Sequence, residues 1–237
     1  MIIQNGSTIY YPIVEEGITW ETQRKNMPGV LSFNVLKDDI ISFQEGNPVR
    51  LKVDGANVFY GFVFTKKRNK TDTIQVTAYD QLRYLKNKDT YSYENKKASE
   101  VVKMIAADFN LNLGAIEDTQ FIIASRVERN KTLFDTIQNA LDLTLQNRKQ
   151  LFVLYDDFGK LTLKNIESMK LNLLIDEDSA ENFDYSSSID GETYNKIKLS
   201  YENREIYIAQ DTNSINQWGV LQYFEEIEET TNGKVKA

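Results

Sequence analysis

Hydrophobic and polar positions along this chain change period twice, and the changes divide it into three parts. The stretch from Val49 to Leu85 sets the first pattern. Val49, Leu51 and Val53 alternate with Arg50 and Lys52, the two-residue period of a strand with one wet face. Asp54-Gly55 supplies the positive-φ chemistry of a tight hairpin turn. Val58 to Phe64 is nearly all apolar or aromatic, which predicts a strand covered on both faces, with Gly61 leaving room for a close neighbour. A polar connection, Lys66 to Asp72, leads into Ile74, Val76 and Ala78, which alternate again in a third strand read as running to Leu85. So aromatic a meander needs further strands to bury it. It is predicted to be the heart of a small barrel.

The segments before it fit that picture. Asn5-Gly6-Ser7 is a turn signal, and Ile18–Thr22 and Val30–Leu36 read as a second strand pair joined by a turn at Pro28-Gly29. Glu45-Gly46-Asn47-Pro48 then delivers the chain to Val49. Residues 1–90 are therefore expected to form an N-terminal β-barrel domain.

After Tyr93 the period lengthens. Ala98, Val101, Val102, Ile105 and Phe109 fall on one face of a helix. Thr132 reads as the N-cap of a second helix, with Asp135 as its capping partner, and Leu133, Phe134, Ile137, Ala140, Leu141, Thr144 and Leu145 form the stripe behind it. A hairpin follows, Leu151–Tyr155 and Lys160–Lys164, turning through Asp156 to Gly159. Residues 91–170 thus read as an α+β insert. Strands then return at Leu171–Ile175, Asn195–Tyr201, Ile206–Ala209 and Trp218–Phe224, with a polar loop at 211–216 and a charged tail from Glu225. Residues 171–237 are expected to form a second β-barrel domain. The fold class is mainly β with an α+β insert.

Composition narrows the chemistry. The 237 residues carry a net charge of −7, which disfavours a dedicated nucleic-acid binder, and the basic run Lys66, Lys67, Arg68, Lys70 reads as a solvated loop. There is neither cysteine nor histidine, which excludes disulfides, thiolate sites and imidazole catalysis. No run approaches 18 apolar residues, so no membrane insertion is expected, and no signal peptide is visible at Met1-Ile2-Ile3-Gln4.

Carboxylates are the catalytic side chains in supply. The pairs Glu15-Glu16, Asp38-Asp39, Asp156-Asp157 and Asp176/Asp178 are the candidate acid/base couples, and Asp176, Glu177, Asp178 and Glu181 a candidate Ca²⁺ loop. Three of the pairs fall at predicted turns, where carboxylates are solvated, and the loop lacks EF-hand spacing. No nucleotide-binding or serine-nucleophile motif occurs. No catalytic, cofactor or metal residue is assigned. The aromatic run Phe59, Tyr60, Phe62, Phe64 reads as core rather than a sugar or base platform. Tyr79, Tyr84, Tyr91 and Tyr93, at the hand-over between the first two parts, are candidates for a packed seam or a subunit interface, and Trp218 and Tyr223 join them as interface candidates.

Five collinear segments carry a resemblance: Val49-Arg50-Leu51-Lys52-Val53-Asp54-Gly55, Val76 to Leu85, Tyr155-Asp156-Asp157-Phe158-Gly159-Lys160-Leu161, Tyr194 to Leu199, and Trp218-Gly219-Val220-Leu221-Gln222-Tyr223. Together they are similar to the XkdQ/YqbQ-type baseplate hub proteins of contractile phage tails and tail-like bacteriocins, related to the late control D proteins. The resemblance implies two similar barrels flanking an α+β insert and a ring of three chains. It also implies partners: a tail tube protein on one side, a spike protein on the other, and further hub subunits. The location it implies is the baseplate of a virion or tail-like particle, assembled in the bacterial cytoplasm, with a structural and not an enzymatic role. Family members continue past the position of Ala237, so the second barrel is expected to be part-built here, with open strand edges. The alternative, from a different class, is a phage-associated cell-wall hydrolase or carbohydrate-binding module.

Overall fold

The computed structural model describes residues 1–68, 70, 72–173, 186–202 and 204–227. The chain divides into two compact units, Met1–Lys170 and Leu171–Ala237.

The first unit opens with seven strands: β1 (Ile2–Asn5), β2 (Thr8–Tyr10), β3 (Thr19–Glu21), β4 (Val30–Leu36), β5 (Pro48–Val53), β6 (Ala56–Arg68) and β7 (Thr73–Tyr79). They form one antiparallel sheet in the order β2-β1-β5-β6-β7-β4-β3. Alternation decides which side chains point inward. Leu31, Phe33 and Val35 of β4, Val49 and Leu51 of β5, Phe59 and Val63 of β6, and Ile74, Val76 and Ala78 of β7 share one buried cluster with Ile3 and Phe43. The β5–β6 turn is Asp54-Gly55 as expected, both residues at positive φ (50° and 81°). Gly61 is needed for the reason its place in an apolar strand suggested: an added Cβ would fall onto the Tyr79 carbonyl and the Phe59 ring.

The barrel is not closed among the described residues. The sheet ends at β2 and β3, which do not pair with each other. It is nevertheless strongly curled. Tyr10 ends β2 at one edge, and three residues later the Ile13 carbonyl accepts a hydrogen bond from Leu36 N (2.9 Å) on β4, near the other edge. Three residues reach at most about 11 Å, so the edges must come close. Both edge strands are three residues long, which leaves little ladder with which to close the gap.

The expected turn at Pro28-Gly29 is displaced. The bend lies at residues 24–26, with Asn26 at φ 59°, and Gly29 instead leads straight into β4. The third strand also stops short of Leu85. Asp80 caps a 3₁₀ helix, Gln81–Lys86, that buries Leu82 and Leu85.

The α+β part follows: β8 (Lys88–Lys97), α1 (Ala98–Asp108), β9 (Leu113–Ile116), β10 (Ile122–Thr132), α2 (Leu133–Arg148), β11 (Phe152–Asp156) and β12 (Leu161–Asn165). Strands β8 and β10 make an antiparallel ribbon, and β11-β12-β9 a three-stranded sheet with β12 and β9 parallel. The N-cap is as expected: Thr132 Oγ1 accepts from Asp135 N at 3.0 Å. Val101, Val102 and Ile105 of α1 and Leu133, Ile137, Ala140 and Leu141 of α2 bury against Leu161 and Leu163 in a second cluster, which Leu82 and Leu85 join.

The second unit holds β13 (Lys196–Tyr201), β14 (Arg204–Gln210), α3 (Thr212–Trp218) and β15 (Gln222–Glu226), with β13 between an antiparallel β14 and a parallel β15. The polar loop expected at 211–216 is a helix, because Asp211 accepts from Asn213 N at 3.0 Å and starts one. Gly219 at φ 89° ends it, so the last strand begins at Gln222 and not at Trp218. The strand expected at Leu171–Ile175, the acidic loop 176–181 and the tail beyond Ile227 lie wholly or partly outside the described residues.

Two substitutions test the packing. Gly61→Ala is expected to cost about 1–3 kcal/mol by overpacking. Thr132→Ala is expected to cost about 1 kcal/mol through loss of the cap. Urea unfolding of each variant beside the parent measures both.

Candidate functional site

Side chains on the outer face of β6 meet the α+β part. Tyr60, Phe62 and Phe64 alternate with buried Phe59, Gly61 and Val63 and therefore point the other way. Tyr60 packs against Phe62 and Phe158, each with ring centroids 5.8 Å away. Phe64 packs edge-on to Tyr79 at 5.2 Å, and Tyr84 lies 6.5 Å from Phe62 and 6.3 Å from Phe64. Arg50 sits over the Tyr60 ring at 5.5 Å and Arg83 over Phe64 at 5.6 Å, closing the row with cation–π contacts. Tyr79 and Tyr84 are thus half-buried seam residues.

Polar groups tie the same seam. Asp80 N donates to the Gly29 carbonyl (3.1 Å) and Gly29 N donates to Asp80 Oδ2 (2.8 Å), while Leu82 N donates to Asp80 Oδ1 (3.0 Å). An added Cβ on Gly29 would collide with the Asp80 carboxylate, so glycine permits the approach. Gln81 Nε2 donates to the carbonyls of Gly159 (2.7 Å) and Asn112 (3.1 Å), and its Oε1 accepts from Asn112 N (2.9 Å). On the β11–β12 turn, Phe158 and Gly159 both take positive φ (49° and 87°), and Asp156 Oδ1 accepts from Gly159 N at 2.6 Å. Phe158 holds that left-handed backbone, costly for a bulky residue, with its ring against Tyr60. Burial, then the nearby Asp156 charge, pushes the Asp80 carboxyl up to about 7 against the pull of the Gly29 and Leu82 amides. Burial likewise raises Asp156.

Tyr91 and Tyr93 lie inside the α+β core, 7% and 3% exposed, so their rings pack the fold. Burial and then a hydrogen bond to Asp108 Oδ2 (2.9 Å) push the Tyr91 hydroxyl well above its ordinary range. Burial, with nearby Glu128, pushes Tyr93 up to about 12, and its hydroxyl has no partner. Glu128 is a buried carboxylate that the sequence did not single out. It is held by Arg126 Nε (3.2 Å) and Asn139 Nδ2 (3.0 Å).

In the second unit, Trp218 closes α3 and is 36% exposed; Val220 (55%) and Phe224 (56%) follow on the same stretch. Asn195 is buried and clamps this stretch, donating to the Gly219 carbonyl (2.6 Å) and accepting from Leu221 N (2.8 Å). Tyr223 packs edge-on to Tyr194 at 5.3 Å. Its hydroxyl donates to Glu225 Oε2 (2.6 Å), and that bond, with burial, raises it to about 12.

Among the described residues, no acidic pair forms a cleft couple. Glu15 accepts from Thr73 Oγ1 (3.2 Å), Asp38 turns the loop by accepting from the amides of Ile40 and Ile41, and Asp176/Asp178 lie outside the described residues. A cleft runs between residues 23–27 and α2 with β11, and no carboxylate lines it. No metal-binding cluster occurs among the described residues, and no helix there is long and apolar enough to cross a membrane. In the basic run, Lys66 donates to the Phe43 carbonyl (2.5 Å) and so ties a loop to the sheet.

A protein-family model described as YQBQ-like matches residues 18–237. YqbQ of Bacillus subtilis strain 168, described as uncharacterized, is 31% identical over 235 residues, spanning 95% of this chain and 72% of that protein. XkdQ of the phage-like element PBSX from the same organism is 29% identical over 234 residues, with the same two coverages. Among solved structures, the 43 kDa tail protein of prophage MuSo2 from Shewanella oneidensis superposes with a TM-score of 0.73 at 15% identity, over 98% of this chain and 74% of that one. A tail protein from Neisseria meningitidis gives 0.68 at 10% identity, over 99% and 72%. The two solved tail proteins thus share the fold of this chain. The chain belongs to the YQBQ-like family.

Removing the Gln81 side chain takes the partner from the carbonyl of buried Gly159 and from the Asn112 amide, while the Asn112 carbonyl keeps its bond from Leu161 N. Gln81→Ala is expected to cost about 3 kcal/mol. Glu16→Ala, on an exposed turn, is expected to change stability by less than about 0.5 kcal/mol. Urea midpoints of the two variants compare them directly.

Proposed function

We propose that this chain is a structural component of the baseplate hub of a contractile phage tail or tail-like particle, joining the tail tube to the central spike as a ring of copies. The observation that carries the reading is coverage: the fold of a prophage tail protein extends over 98% of the chain. The build of the first unit supports it. Its buried carboxylates are engaged within the fold: Asp80 holds amides of the seam, and Glu128 is held by Arg126 and Asn139. The tail-protein relatives likewise suggest a structural rather than an enzymatic role.

Subunit contact is assigned to the second unit. Trp218, Val220 and Phe224 are exposed there, and the outer side of β15 pairs with no strand among the described residues. An open edge beside exposed aromatic side chains is a ready template for another chain. Trp218 and Tyr223 are the anchors of this proposed interface, while Tyr79 and Tyr84 belong to the seam within a chain.

Gold-labelled antibody against this chain, applied to particles induced from the source prophage, is expected to mark one end of each tail. Label along the tube, or none, would contradict the hub assignment. Trp218→Ala is expected to lower the mass of the assembled species in light scattering while shifting the melting temperature by less than about 2 °C. An unchanged mass with a lower melting temperature would assign Trp218 to its own unit's packing.

A further inference from the structure

The two units carry charge of opposite sign. Residues 171–237 hold fourteen acidic and five basic side chains, a net −9, which leaves residues 1–170 with 21 acidic and 23 basic, a net +2. Charge divided in this way bears on association and not on fold. In the first unit the basic side chains gather on the β8–β10 ribbon: Lys88, Lys96, Lys97, Arg126, Arg129 and Lys131 stand there against Asp89, Glu94 and Glu128. Lys97 pairs with Asp118, and Arg126 with buried Glu128. Arg129 and Lys131 are exposed and enter no ion pair among the described residues. The other basic run, 66–70, starts on β6, whose two sides are already taken by β5 and β7. The ribbon differs in being open. β10 pairs with β8 on one side and with no strand on the other among the described residues, and Ile122 (57%) and Val127 (56%) stand exposed on it.

An unpaired edge with exposed apolar side chains invites a strand from another chain, and charge selects which one. We propose that the free edge of β10 in one copy receives β15 of a second copy, so that the acidic unit of each chain docks on the basic ribbon of the next. The inference rests on the subunit contact assigned above to the second unit and supplies its receiving surface. β15 has the matching features: an outer side that pairs with no strand among the described residues, Phe224 56% exposed, and Glu225 and Glu226 at its end. Direction follows from where the charges lie. Laid parallel, as it already lies on β13, β15 brings Phe224 to Val127 with Glu226 beside Arg129. Laid antiparallel, it would carry the two glutamates to the Ile122 end, opposite Lys97, which is already paired. The bulge between Glu128 and Lys131 interrupts the ladder, so strand addition is confined to Ile122–Glu128, with the exposed basic side chains at its close. The two surfaces are different, so the contact is heterologous and runs head to tail.

Charge reversal tests the contact without touching either core, because Arg129 and Glu226 are both exposed. Arg129→Glu and Glu226→Arg are each expected to weaken self-association of the full chain about tenfold, measured by sedimentation over a concentration series. The two changes together in one chain are expected to return association to that of the parent, and added salt is expected to weaken the parent. Single variants that associate as the parent does, or a double variant no better than the singles, would overturn the pairing. If Trp218→Ala still dissociates the parent in either case, the second unit keeps its role in subunit contact and only the receiving surface is refuted. A parent that stays monomeric at every concentration would overturn both.

Discussion

A carboxylate as buried as Asp80 would be costly if left alone, and much of the first unit is arranged so that it is not. The Gly29 amide reaches one oxygen and the Leu82 amide the other. That demand explains features that look unrelated in the chain. Residue 29 must be glycine because any side chain would strike the carboxylate. The meander must stop at Tyr79 because Asp80 caps a 3₁₀ helix instead of continuing the strand. The helix then sends Leu82 and Leu85 into the second core, so one short segment belongs to both halves of the unit.

Around that polar tie the aromatic side chains supply area. Tyr60, Phe62 and Phe64 would be an exposed apolar stripe on an isolated sheet; here Phe158, Tyr79 and Tyr84 cover them and two arginines close the row. Apolar contact gives the seam its strength, and the directed hydrogen bonds of Asp80 and Gln81 give it one register. The product is a wall with its polar chemistry turned inward.

Much of this was legible in the residues. The alternation of β5 and β7, the Asp54-Gly55 turn and the Thr132 cap are local signals, and local physics decides them. Other features depend on partners far away in sequence. The β8–β10 ribbon carries only Tyr91 and Tyr93 inward on β8 against a run of charged and polar residues, too weak an apolar period to announce a strand. The helix at 212–218 was hidden because its residues are polar and its start rests on one Asp211 hydrogen bond. Phe59 reads correctly as core, but the outward rings of β6 face a second layer that nothing near them foretells. The burial of Asp80 was the least visible: it is an ordinary turn carboxylate until the fold brings Gly29 against it. Had the Gly29–Asp80 contact been foreseen, the barrel reading would have ended its third strand at Tyr79.

The functional account rests on a chain that works by fitting between neighbours. The proposal draws on the chain's family membership and on the fold it shares with solved tail proteins. A hub ring is built once per tail, whereas a tube subunit is repeated along it and an accessory enzyme need not be present in fixed number. Counting copies of this chain in intact purified particles by quantitative mass spectrometry, against the tube protein, therefore tests the claim most directly. A small fixed number per particle, unchanged between long and short tails, is the predicted result. A number that grows with tail length, or that varies from preparation to preparation down to none, would contradict it.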